Sequence, residues 1–75
     1  MNGLTPLQLR TVDRLDFVGL GELADRATTA WSNSLPFPCA LTPAERATME
    51  GASLCEDFKM ANREAREAQA RNSSR

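Results

Sequence analysis

The chain has 75 residues, nine Lys or Arg against ten Asp or Glu, and a formal net charge of −1. That length makes one domain, and fewer than twenty large apolar side chains give a core worth only about 3–5 kcal/mol without staples, so completion by self-association or by a protein partner is expected. The balanced charge argues against a general nucleic-acid or anionic-membrane binder, no apolar run is long enough to span a membrane, and the absence of a secretory pattern points to the cytoplasm.

After a short lead-in, Leu4-Thr5-Pro6-Leu7-Gln8 predicts a helix start. Thr5 is the N-cap, Pro6 takes the first helical position where a missing N–H costs nothing, and Gln8 reaches back to close a capping box. Leu4 and Leu9 are placed for a hydrophobic staple, and Leu9, Val12 and Leu15 share a face. Around Asp16-Phe17-Val18-Gly19-Leu20-Gly21 the pattern is disturbed. Asp16 is placed to cap a new helix, and the two glycines divide the segment into two short helices or kink one. From Glu22 to about Ser34 the reading is helical, burying Leu23, Ala27 and Trp31, with the only tryptophan as a core anchor. Leu35-Pro36-Phe37-Pro38-Cys39 is then an extended connection, from which Leu35 and Phe37 can tuck back over the helix ends.

Leu41-Thr42-Pro43-Ala44-Glu45 repeats the same capping device. It opens the longest helical pattern, running to about Gln69 without a second proline. Ala44, Ala47, Gly51, Leu54, Cys55, Phe58, Ala61, Ala65 and Ala68 fall on one broad face that is expected to pack on the first two helices. Gly51 inside the helix costs roughly 1 kcal/mol relative to alanine; it is tolerable if a neighbour packs over it and otherwise marks a weak point or kink. Acids gather early and bases late, as the helix dipole favours, and Arg63, Glu67 and Arg71 are spaced to ladder. Residues 1–70 form the expected single domain. Arg71 to Arg75 reads as a disordered polar tail.

Little in the composition points to catalysis. The chain has no histidine and no tyrosine, which removes the commonest general base and transition-metal ligand. Cys39 and Cys55 give no zinc set and are read as free thiols, a loop-to-helix disulfide between them being the less favoured arrangement in the cytoplasm. Gly19-Leu20-Gly21 is too little for a phosphate loop. No catalytic, cofactor or metal site is expected. The feature left over lies on the back of the long helix, where Met49, Ala52, Glu56, Met60 and Arg63 follow at helical spacing. Flexible thioethers on such a face make an adaptable docking patch.

Leu4-Thr5 followed by Leu9, Val12, Leu15 and Gly19, with Leu54, Phe58 and Arg63 late in the chain, resembles small phage-encoded helical hairpins that sequester cyclic nucleotides. The resemblance implies a ligand-sequestering hairpin, but the tyrosine that stacks on the base in such proteins has no counterpart here. The favoured expectation is an all-α protein of three helices, two N-terminal ones (or one kinked at Gly19–Gly21) against one long C-terminal helix. It is expected to act without catalysis, as an inhibitor or adaptor docked onto a protein partner or paired with its own copy. Small size alone suggests a phage or mobile-element accessory. Weak nucleic-acid binding through Arg63, Arg66, Arg71 and Arg75 ranks lower, because Glu64 and Glu67 lie among them.

Overall fold

The computed structural model describes residues 3–38 and 40–73. They form four α-helices and no strand: α1 Pro6–Phe17, α2 Gly21–Ser32, α3 Pro43–Gly51 and α4 Cys55–Ser73. Both capping boxes are present. Thr5 accepts from the Gln8 N–H while Gln8 accepts from Thr5, and Thr42 and Glu45 do the same. The glycine-rich segment separates two helices. Leu20 is the N-cap of α2, with no side-chain bond, so Asp16 does not cap it.

The expected long helix is broken. Three of the helices end in the same way, with a left-handed residue followed by a leucine. After α1, Gly19 (φ +90°) donates to the Asp16 carbonyl and Leu20 to Leu15. After α2, Ser34 (φ +59°) donates to Trp31 and Leu35 to Ala30. After α3, Ser53 (φ +58°) donates to Glu50 and Leu54 to Met49. Each pair of bonds is a Schellman ending, satisfying carbonyls that the helix leaves open. Glycine takes the left-handed conformation freely, whereas serine pays about 1–2 kcal/mol for it. Two of the three endings therefore carry strain that packing must offset.

The break turns α3 onto a different face. Ala44, Ala47 and Gly51 are exposed, while Leu54 just before α4 and Phe58, Ala61 and Ala65 on it remain buried. Met49, expected on the outer face, lies in the core at 1% exposure and is the one buried side chain of α3. The rest of the core comes from Leu15 on α1, from Leu23, Ala24, Ala27, Ala30 and Trp31 on α2, and from α4. Trp31 anchors it at 2% exposure.

α1 and α4 run antiparallel, since Thr5 donates to Glu64, Gln8 to the Ala61 carbonyl, and Arg14 to Asp57. The contact face of α1 is more polar than its leucines suggest: Gln8 and Thr11 are buried while Leu9 is 56% exposed, so no staple with Leu4 buries it. Both polar groups are satisfied, Gln8 by Thr5 and Ala61, and Thr11 by the Leu7 carbonyl. Small Ala61 and Ala65 leave room opposite them for the helices to close up. Past Ala70 the backbone is helical to Ser73; Ser74 and Arg75 lie outside the described residues.

Candidate functional site

The outer face of α4 carries most of the residues singled out from the sequence. α4 buries Leu54's neighbour Phe58 together with Ala61 and Ala65, which turns Glu56, Lys59, Met60, Arg63 and Arg66 to solvent. Met60 is 49% exposed. An open groove on this side is lined by Glu56, Lys59, Met60, Arg63 and Arg66, with Phe58 and Asn62 along its inner edge. Hydrogen bonds and ring contacts hold the inner edge. Asn62 Oδ1 accepts the Trp31 indole N–H at 3.1 Å and the Phe37 backbone N–H at 2.6 Å. Phe58 stacks between Trp31 and Phe37, with ring centroids 5.3 and 5.5 Å away at tilted and edge-on angles.

The five docking residues read from the sequence thus divide. Glu56, Met60 and Arg63 stand together on the α4 face. Ala52 is partly buried at the C-cap of α3, its carbonyl accepting from Arg14 at 2.7 Å. Met49 is in the core, because the turn at 52–54 rotates α3 inward. Among the described residues the ion pair present is Arg14–Asp57 at 3.3 Å, and the Arg63–Glu67–Arg71 ladder is not closed. Among the described residues no carboxylate lies within 4 Å of Lys59, Arg63 or Arg66. They form a cationic collar beside a half-exposed thioether, with Glu56 at one end.

Two surface features were not anticipated. Phe17, in the last turn of α1, is 90% exposed. An apolar groove lies between α2 and the connection that follows it, floored by Ala30, Leu35, Pro36 and Pro38 and rimmed by Asp25, Arg26, Thr29 and Asn33. The proline pair that signals an extended connection also built this groove; its partner wall, the outer side of α2, had no distinguishing sequence signal. Among the described residues no group of three or more His, Cys, Asp or Glu is placed to hold a metal ion, and no helix is long and apolar enough to cross a membrane. Cys55 is a free, partly buried thiol; Cys39 lies outside the described residues. Comparison with protein-family models, curated proteins and solved structures finds no match to this chain.

Proposed function

We propose that this is a non-catalytic interaction protein, an inhibitor or adaptor, that docks through the outer face of α4 onto an acidic segment of a protein partner. The observation that carries the reading is Met60, half exposed beside Lys59, Arg63 and Arg66, none of which has an acidic partner among the described residues. Three unpaired cations steer and orient an acidic segment, and the thioether adapts to whatever apolar side chain arrives between them. Behind this face the Trp31–Phe58–Phe37 cluster and Asn62 fix α4 in place, so little ordering cost falls on the docking residues. A tagged chain recovered from the native host should bring down a partner that Met60→Asp and Arg63→Glu variants lose, with their helicity intact. Retention of the partner by both variants would remove α4 from the reading.

A second reading, self-association through α1, draws on Phe17. An almost fully exposed phenylalanine is the kind of side chain that anchors an interface, and Leu9 is exposed on the same helix. Light scattering tests it: a dimer that Phe17→Ser converts to monomer supports it, and a monomeric native chain refutes it.

A further inference from the structure

The turn between α3 and α4 rests on a residue poorly suited to it. Ser53 holds φ +58° and is exposed, in a conformation that glycine adopts freely and serine does not. Nothing flanking it forbids a continuous helix, since no proline follows Pro43. The backbone bonds of the bent and straight forms draw on the same atoms. In the bend, Ser53 N–H donates to Glu50 and Leu54 N–H to Met49; in a straight helix the two donors simply exchange those two carbonyls. The Ala52 carbonyl would pass from the Arg14 guanidinium to the Glu56 N–H.

Tertiary contacts hold the bend. Met49 is the single buried side chain of α3, and Arg14 spans the joint, donating to the Ala52 carbonyl at 2.7 Å and to Asp57 at 3.3 Å. We infer that residues 52–54 are a two-state elbow, and that α3 leaves the body of the protein by straightening onto α4 while remaining helical. Straightening withdraws Met49 from the core. It sets Met49, Ala52, Glu56, Met60 and Arg63 in one row at steps of three and four residues, a row that the bent form splits. The use of that row rests on the docking reading above; the elbow itself is tested without any partner. A straight helix from 43 to 73 is about 46 Å long, longer than the 40 Å long axis of the bent molecule.

The experiment follows thiol labelling of Met49→Cys in the full chain, with Cys39→Ser and Cys55→Ala so that one thiol remains. A thiol at that buried position reacts only when α3 opens, and the rate reads the open fraction. Ser53→Ala should speed labelling about twofold, because alanine favours helix over serine. Ser53→Gly should slow it about fivefold by relieving the left-handed strain. Gly51→Ala separates straightening from fraying: Gly51 is helical in α3, is helical in the straight form, and has nothing within 4 Å of an added Cβ. Straightening leaves its labelling rate unchanged, whereas fraying slows it about fivefold. If Met49→Cys fails to fold, spin labels at exposed positions 47 and 67, again with Cys39→Ser and Cys55→Ala, read the same open fraction as a population near about 30 Å, the span of twenty residues of straight helix. A Gly51→Ala slowing, or Ser53 variants that leave the rate unmoved, overturns the elbow.

Discussion

Asn62 offers a sharp test of how the core is held. Its side-chain oxygen takes two hydrogen bonds, from Trp31 at 3.1 Å and from the Phe37 backbone at 2.6 Å. Asn62→Ala leaves both donors without that acceptor, in a site partly closed to water. Each part-buried donor left unpaired costs about 1–1.5 kcal/mol, the low end of the range for buried groups, so the loss should be about 2–3 kcal/mol. A domain of this length is stable by about 4–11 kcal/mol, so the variant should fold but melt roughly 8–24 °C lower. Urea titrations followed by Trp31 emission and by far-UV circular dichroism measure it, with a lower midpoint and an unchanged slope expected. Asn62→Asp keeps an acceptor in place and should lose much less. A loss below about 0.5 kcal/mol for Asn62→Ala, or an equal loss for both variants, would refute the assignment of Asn62 as the hub that ties α2 and the 35–38 connection to α4.

The other expectations are smaller in scale. Gly51→Ala should stabilise the protein by about 0.5–1 kcal/mol in the same titration, since the position is helical and the space beside it is open. Arg14→Ala should cost only about 1 kcal/mol globally, because Arg14 is 43% exposed and its ion pair with Asp57 is screened; a calorimetric loss above about 3 kcal/mol would show that the joint carries more than this account gives it. Leu15→Ala, at 0% exposure between the helices, should cost about 2–5 kcal/mol and move emission and dichroism together. Lys59→Glu with Arg63→Glu should leave the melting temperature within about 3 °C of the parent while weakening partner capture.

The helix starts were legible because their chemistry is local. Leu4-Thr5-Pro6 and Leu41-Thr42-Pro43, each with Gln or Glu three residues after the threonine, carry a complete cap within five residues. Trp31 was legible as the one large aromatic on a helical stripe. The helix ends were harder. Gly19 announced its left-handed turn, but Ser34 and Ser53 occupy the same conformation without a glycine, held by packing that no local pattern encodes. Gly51 misled in a particular way, marking the weak stretch while the left-handed residue came two positions later. The leucine after each left-handed residue (Leu20, Leu35, Leu54) was the signal available at all three. Missing the third break assigned Met49 to the surface and placed Ala44 and Ala47 inside. Buried Gln8 and Thr11 escaped notice because amide and hydroxyl groups enter a core only when specific partners meet them, and those partners lie across the α1–α4 contact.

The claim on which the functional reading depends is that α4's outer face meets a partner. A photo-crosslinking amino acid placed at Met60, and separately at exposed Asp25 on α2 as control, tests it in the native host. Docking through α4 predicts one protein adduct from position 60 that disappears when Lys59→Glu and Arg63→Glu are added, and none from position 25. Equal adducts from both positions, or an adduct at 60 indifferent to the charge reversals, would contradict it.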